Sequence, residues 1–310
     1  MEAMLDKYKG CLVGLAVGDA LGTTVEFRSP GTFPPVTDMV GGGVFDLQPG
    51  QWTDDTSMAL CLADSLLAMK GFDPVDQMER YKKWMREGYM SSTGECFDIG
   101  NATREAILRH ERTGEGYCGS DNPNAAGNGS IMRLAPIPMY YAEQPRPAMI
   151  YAAASSRTTH AAAVCVDACK LFAAFIMAAL KGWPKERLLD SAAFDEWLGT
   201  EPLMPRIEAV RKGSYRFSEP PDIKGSGYVV KSLEAALWAF AKSSSFEEGA
   251  LLAVNLGDDA DTTGAVYGQL AGAYYGYQGI PQQWLHKLAM REMIMSLSVD
   301  LYNNRIAGNC

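Results

Sequence analysis

Two short acidic segments contain the residues of this chain that are best suited to chemistry. The first is Thr53-Asp54-Asp55-Thr56, and the second is residues 258–263, with the sequence DDADTT. Capping explains one such segment, because Thr and Asp are common helix N-caps and acidic residues in a first turn suit the helix dipole. Capping does not explain adjacent carboxylates in both segments, since crowded carboxylates repel each other unless a cation neutralises them.

The oxygen atoms of Asp and Thr side chains are ligands for hard divalent cations such as Mg²⁺ or Mn²⁺. The chain has three histidines, His110, His160 and His286, which argues against a His-rich zinc or di-iron site. If the two segments come together, their carboxylates and hydroxyls can hold two ions. Two ions can polarise substrate oxygens and lower the pKa of a bound water. The residues alone therefore predict a metal-assisted hydrolase, and they leave the substrate open.

Each acidic segment precedes a predicted helix. Apolar residues recur at helical spacing after Thr53, and the same periodicity predicts helices at 76–87, 101–112, 147–156, 161–181, 229–241, 245–256 and 261–275. Alternating apolar and polar strands are scarce. We therefore expect an all-α fold in which residues 1–310 form a single domain, with a polar, loop-rich insertion at 184–227 that contains short helical stretches.

Two series of glycines at four-residue spacing indicate how the helices pack. Glycine inside a helix costs about 1 kcal/mol relative to alanine, so the repeated placement needs a reason. The spacing removes side chains from one helix face and allows a second helix to approach closely. Because each series adjoins an acidic segment, we expect this packing to bring the two segments together. The members are Gly10, Gly14, Gly18 and Gly22, then Gly264, Gly268, Gly272 and Gly276.

The composition restricts partners and location. The formal net charge is -9 and no arginine-rich run occurs, which argues against nucleic acid or an anionic membrane as a partner. Phosphates on a substrate would then be held by metals or backbone amides. The seven cysteines are scattered with no CxxC pair, and the N-terminus has no long apolar segment. We expect a cytoplasmic protein. The apolar run 161–180 contains Asp167 and Lys170 and is expected to be a buried helix.

Four motifs, in this order, resemble those of the ADP-ribosylglycohydrolases, in particular the bacterial dinitrogenase reductase-activating glycohydrolases. They are GDALGTTVEF at 18–27, WTDDT at 52–56, GNGSIMR at 127–133 and GDDADTTG at 257–264. Each is weak alone, but together they extend the match over most of the chain. The resemblance implies a compact all-α domain with a binuclear Mg²⁺ or Mn²⁺ site. The metal ligands that it implies are Thr53, Asp54, Asp55, Asp259, Asp261 and Thr262.

The resemblance also implies roles near the metals. Glu26 matches a family glutamate that lies beside the metals and is involved in gating or acid/base work; the alternative is a glutamate at a helix end. Asp258 lies outside the family's ligand pattern and is expected to support or cap its neighbours. His160 matches a family histidine near the metal-bound ribose, and the alternative is a structural histidine.

Two further groups are expected to bind the substrate. Gly127, Asn128, Gly129 and Ser130 leave backbone N–H groups open, and such nests bind pyrophosphate, although an isolated GNGS is usually a turn. Asp98 and Tyr228 match residues of the arginine-acting members. A carboxylate can accept hydrogen bonds from a guanidinium group, and an aromatic ring can stack on it. A helix cap and a packed tyrosine are the respective alternatives.

The resulting hypothesis is hydrolysis of the N-glycosidic bond between ADP-ribose and an arginine side chain. Glu26 and Asp98 are the expected catalytic acid and base, with the division between them open. The partners would be arginine-ADP-ribosylated proteins and ADP-ribose; the target protein and the oligomeric state are open. Alternative hypotheses are a hydrolase of O-linked ADP-ribose, on serine or a small metabolite, a non-catalytic ADP-ribose binder, and a two-metal phosphohydrolase.

Overall fold

Helices make up nearly all regular structure in the computed structural model, which describes residues 2–305. The α-helices in chain order are α1 (Glu2–Gly22), α2 (Asp54–Met69), α3 (Pro74–Glu87), α4 (Asn101–Thr113), α5 (Pro136–Tyr140), α6 (Pro145–Arg157), α7 (Ala163–Leu180), α8 (Lys185–Leu188), α9 (Asp195–Leu198), α10 (Pro205–Arg211), α11 (Val229–Lys242), α12 (Phe246–Val254), α13 (Ala260–Tyr275), α14 (Gln282–Lys287) and α15 (Arg291–Asn303). Short 3-10 helices lie at Thr23–Val25, Ser214–Phe217 and Tyr277–Gly279. Within 2–305, β-pairing is limited to isolated bridges, which confirms the all-α expectation.

Helices α1 and α13 form the centre of the fold and run antiparallel along the two glycine series. A Cβ atom on Gly14 would collide with the backbone of Gly268, and one on Gly18 would collide with the backbone of Gly264. Gly276 is an exception in the second series, because it ends α13 at a φ of 77° and faces Asp6. The close packing places the last turn of α1 beside the first turn of α13.

The remaining helices surround this pair around one hydrophobic core. Helix α7 is long and apolar enough to cross a membrane, but 89% of it is buried inside the fold. That burial identifies it as a core helix, as its Asp167 and Lys170 suggested. The 184–227 segment contains α8, α9, α10 and a 3-10 helix, and its side chains Leu188 and Ile207 join the same core.

Candidate active site

Helix packing brings the two acidic segments into one buried cluster. Asp54 and Asp55 lie in the first turn of α2, and Asp261 lies in the first turn of α13. The hydroxyl of Thr53 donates to Asp261 Oδ2 and to Asp55 Oδ2, at 3.2 Å in each case. The hydroxyl of Thr262 donates to the same Asp55 oxygen at 3.3 Å. Residues about 200 positions apart in the sequence therefore share hydrogen bonds, as the glycine series predicted.

Asp19 fixes the position of the first segment, and sequence reasoning did not identify this role. Its fully buried carboxylate accepts hydrogen bonds from the backbone N–H of Thr53 (3.0 Å) and of Thr56 (3.1 Å) and from the Thr56 hydroxyl (2.6 Å). Burial raises the pKa of Asp19 to about 6, while these hydrogen bonds act in the opposite direction. Asp19 thus serves as the cap of α2 from a different helix. The available signal was its place in the GDALG motif.

Glu26 is positioned by a pair of backbone hydrogen bonds, a backbone exchange, between residues 27–28 and Asp258 of the second segment. The N–H of Phe27 donates to the carbonyl of Asp258 at 2.6 Å, and the N–H of Asp258 donates to the carbonyl of Arg28 at 2.8 Å. Phe27 and Asp258 both adopt left-handed backbone conformations, with φ of 59° and 52°. This exchange directs the buried Glu26 side chain toward the cluster. It also gives Asp258 a supporting role through its backbone.

The cluster contains carboxylate oxygens whose hydrogen-bonding capacity is unused. Glu26 Oε2, Asp55 Oδ1 and Asp261 Oδ1 are buried and have no hydrogen-bond partner among the described residues. One carboxylate oxygen from each of Glu26, Asp98 and Asp261 lies within 4.8 Å of the others. Carboxylates this close, with Glu26 and Asp261 buried and Asp98 half-buried, require protons or cations, and oxygen-only donors suit Mg²⁺ or Mn²⁺. The residues therefore fit a divalent metal site, and the orphaned oxygens are the observation that supports it.

The pKa values of the carboxylates reflect this crowding. Burial, followed by repulsion from Asp98, raises the pKa of Glu26 to about 10. Burial, followed by repulsion from Asp19, raises the pKa of Asp98 to about 7. Burial also raises the pKa values of Asp54, Asp55, Asp259 and Asp261. In the absence of metal, the cluster must therefore retain protons near neutral pH.

The Gly127–Ser130 stretch packs against the second acidic segment. Asn128 Nδ2 donates to Asp259 Oδ2 at 2.7 Å, and the Asn128 N–H donates to the carbonyl of Gly227 at 3.0 Å. A Cβ atom on Gly129 would lie 2.7 Å from His160 Cε1, so only glycine fits there without displacing the ring. Ser130 lies behind the loop, where its hydroxyl accepts a hydrogen bond from Ser156 at 2.9 Å.

His160 is held as a neutral ring beside this loop. Burial, followed by the charge of Arg133, lowers the pKa of His160 to about 3. His160 Nδ1 lies 2.8 Å from the Thr159 hydroxyl, which also accepts a hydrogen bond from Arg133 Nη2 at 2.7 Å. Arg133 is fully buried and donates from Nη1 to the carbonyl of Gly129 at 2.6 Å. It therefore joins the Gly127–Ser130 stretch, the glycine loop, to the segment 158–160 that carries the histidine, a role that the sequence analysis did not assign.

A cavity of about 680 Å³ collects most of the predicted site residues. It is lined by Glu26, Asp54, Asp98, Gly127, Asn128, Gly129, His160, Asp259, Asp261 and Thr262, and also by Phe27 and Asp258. Thr53 and Asp55 lie beneath it in the cluster, fully buried. Ser130 and Tyr228 do not line it. Tyr228 instead lines an adjoining cavity of about 880 Å³ that shares Gly127 and Gly227 with the first.

The fold and the site together define an all-α protein in which helix N-termini converge on a carboxylate cluster that fits divalent cations, beside a glycine loop. The chain belongs to the ADP-ribosylglycohydrolase family, whose model matches residues 1–309. It is similar to ADP-ribosylarginine hydrolase Tri1 of Pseudomonas putida, with 45% identity over 97% of this chain and 79% of that protein. These matches confirm the family that the four motifs indicated.

Two other comparisons agree. An ADP-ribosyl-(dinitrogen reductase) glycohydrolase of Rhodospirillum rubrum is 32% identical over 92% of this chain and 91% of that protein. A solved structure described as an ADP-ribosylglycohydrolase-related protein complex superposes with a TM-score of 0.88 at 47% identity, covering 99% of this chain and all of that one. The helical fold found here is therefore the fold of this family.

Proposed function

We propose that this protein hydrolyses the N-glycosidic bond between ADP-ribose and the side chain of arginine in modified proteins. The observation that carries the proposal is the convergence of Glu26, Asp98 and the two acidic segments in one cavity, beside the glycine loop. The name of the Pseudomonas putida relative, an ADP-ribosylarginine hydrolase, supports the arginine linkage.

Two divalent ions, Mg²⁺ or Mn²⁺, are the proposed cofactors. Thr53, Asp54, Asp55, Asp259, Asp261 and Thr262 would hold them, and the unpartnered oxygens of Asp55 and Asp261 support this assignment. When bound, the ions would polarise oxygens of the substrate and of a water molecule. Asp19 and Asn128 would not be ligands; they orient Thr53 and Asp259 through hydrogen bonds.

Glu26 and Asp98 would handle the proton of the reaction as a coupled pair. Hydrolysis forms a bond between water oxygen and the anomeric carbon and breaks the bond from that carbon to the guanidine nitrogen. Water loses a proton and the departing guanidine gains one. Without metal, burial and neighbouring carboxylates raise the pKa values of Glu26 and Asp98 to about 10 and about 7. One carboxylate oxygen of each lies within 4.8 Å of the other, so the two groups can share and exchange a proton. The ionised partner would accept hydrogen bonds from the substrate guanidinium.

His160 and the glycine loop would position the substrate. A neutral His160 adds no charge to the site, and its Nε2 is the ring nitrogen not engaged by Thr159. Backbone N–H groups of the 127–130 loop, other than that of Asn128, which donates to the carbonyl of Gly227, would bind the diphosphate. We also propose a cytoplasmic location, which six free cysteines within the described residues support.

The test is incubation of an arginine-ADP-ribosylated peptide with the protein in Mg²⁺, Mn²⁺ or EDTA, followed by mass spectrometry. We expect metal-dependent release of free ADP-ribose and an intact arginine peptide. Asp54→Ala and Asp259→Ala should each abolish the release. Near-normal activity of both variants would contradict the metal site, and release only from a serine-linked peptide would contradict the arginine linkage.

A further inference from the structure

The cavity of about 680 Å³ beside the acidic segments, called the carboxylate cavity below, carries the same sign of charge as the substrate proposed above. Six acidic residues line it, namely Glu26, Asp54, Asp98, Asp258, Asp259 and Asp261, and no lysine or arginine within residues 2–305 does. ADP-ribose carries an anionic diphosphate. Metal ions would neutralise charge at the carboxylates, but with the distal ribose at the metals the diphosphate would lie farther from them. A cation near that position would therefore favour binding of the nucleotide end.

The adjoining cavity contains such a cation. This cavity of about 880 Å³ shares Ala102, Gly127 and Gly227 with the carboxylate cavity, so the two adjoin along the glycine loop. Arg206 is the single lysine or arginine that lines either cavity in the described part of the chain, and the His160 ring in the first cavity is neutral. All other residues that line the second cavity are uncharged.

The guanidinium of Arg206 is free to bind an anion. Arg206 is exposed, and it makes no hydrogen bond or ion pair within the described residues; its contact is with the ring of Tyr228, 5.9 Å from the centroid. Its backbone is fixed, because Pro205 begins α10 and the N–H of Met204 donates to Asp167 Oδ2 at 2.8 Å. A fixed backbone with an unengaged planar donor group is suited to bidentate binding of phosphate.

We propose that Arg206 is a specificity-determining residue that binds the diphosphate of ADP-ribose. The proposal rests on the proposed function. It also assigns the second cavity to the nucleotide end of the substrate. A guanidinium already lies beside Tyr228, and a second guanidinium, that of the substrate arginine, would be repelled there. Tyr228 therefore faces the nucleotide, and Asp98 and Glu26 face the arginine.

The experiment compares two substrates that differ at the nucleotide end. One is an arginine-ADP-ribosylated peptide; the other is the same peptide trimmed with phosphodiesterase and phosphatase to leave ribosyl-arginine. For Arg206→Ala, we expect KM for the ADP-ribosyl peptide to rise about tenfold or more, since hydrogen bonds between charged groups are lost, with kcat little changed. Activity on the ribosyl peptide should match that of the wild type. Arg206→Lys should restore part of the loss.

A binding measurement makes the test independent of turnover. Calorimetry with free ADP-ribose should show about tenfold weaker binding by Arg206→Ala and a smaller dependence on salt concentration. Arg146→Ala is the matched control, because Arg146 follows Pro145 at the start of α6, as Arg206 follows Pro205, and is exposed without an ion pair among the described residues. It should bind ADP-ribose like the wild type.

The outcomes separate this inference from the proposed function. Wild-type affinity for ADP-ribose in Arg206→Ala, or equal losses on both peptides, would overturn the role of Arg206 and leave the hydrolase proposal standing. Failure of the wild-type protein to release ADP-ribose from the arginine peptide would instead overturn the proposed function. A lower melting temperature of ligand-free Arg206→Ala, accompanied by equal losses on both peptides, would overturn the role and indicate a merely structural residue.

Discussion

Asp19 shows how one side chain can control a site that it does not enter. It receives hydrogen bonds from Thr53 and Thr56 and so orients the first turn of α2, which carries Asp54 and Asp55. Because all of these groups are buried, their donors have no access to water. Loss of the carboxylate would leave them unsatisfied, which typically costs about 1–3 kcal/mol for each buried group.

We therefore predict that Asp19→Ala lowers the free energy of unfolding by at least about 1–3 kcal/mol, the cost of one unsatisfied donor, and weakens metal binding. Urea unfolding measures the first effect, and calorimetric titration with Mn²⁺ measures the second. Glu2→Ala is the control, since it removes an exposed carboxylate from the same helix. Unchanged stability and Mn²⁺ affinity in Asp19→Ala would show that α2 does not depend on this cap.

At the residue scale, the site residues that could be predicted are those whose residue type and neighbours in the sequence already indicate a chemical role. Adjacent carboxylates indicated a cation site, and the structure brings Asp55 and Asp261 together as expected. Asp19 and Arg133 lie in the family motifs, but their roles could not be predicted, because a buried hydrogen-bonding role depends on partners from distant segments. Tyr228 was predicted to lie near the substrate arginine. In the structure it lines the adjoining cavity and not the cavity that Asp98 lines, and its role toward the arginine stays a prediction.

At the element scale, periodicity predicted the helices with large buried faces, and their ends differ from the structure by a few residues. The helices α5, α14 and α15 were not predicted. The first two are short, with five and six residues, which is too few for periodicity to be distinctive. The close packing of α1 was predictable because glycine at four-residue spacing clears one helix face for a neighbouring backbone. The pairing itself, Gly14 with Gly268, required the structure.

This pairing leads to a prediction for Gly268→Ala. A Cβ atom there would collide with the backbone of Gly14 and Leu15, which cannot rotate away as a side chain can. The higher helix propensity of alanine contributes about 1 kcal/mol in its favour. Overpacking typically costs about 1–3 kcal/mol, and a collision with a helix backbone belongs at or above the upper end of that range. We expect the collision to dominate.

The expected result is a lower melting temperature together with weaker Mn²⁺ binding, because separating α1 from α13 also separates the two acidic segments. Differential scanning calorimetry and Mn²⁺ titration measure these quantities. Lys9→Ala provides the control on α1, at a residue that makes no hydrogen bond or ion pair within 2–305. A Gly268→Ala protein with wild-type melting temperature would contradict the close contact.

At the scale of the whole molecule, folding concentrates negative charge that the unfolded chain disperses. Asp19, Glu26, Asp98 and the two acidic segments come together in a protein whose formal net charge is already -9. Their ionisation opposes folding unless cations are bound. Metal binding and folding stability are therefore linked, because ions that bind the folded state and not the unfolded state stabilise it by mass action.

The linkage predicts a pH dependence with a defined sign. Without metal, the folded pKa values of Asp19 and Asp98 are raised from the ordinary value of 3.8 to about 6 and about 7. The folded protein therefore binds more protons than the unfolded chain at pH values between 3.8 and about 7. Stability is then greatest at the acidic end of this window and falls as pH rises through it.

In EDTA, the melting temperature should be lower at pH 8 than at pH 5, and Mg²⁺ or Mn²⁺ should raise it more at pH 8. The double variant Asp55→Asn, Asp261→Asn should show a smaller fall and little response to metal, since fewer buried carboxylates remain to be neutralised. A melting temperature in EDTA that stays constant or rises from pH 5 to pH 8 would mean that these carboxylates do not control the stability of the metal-free protein.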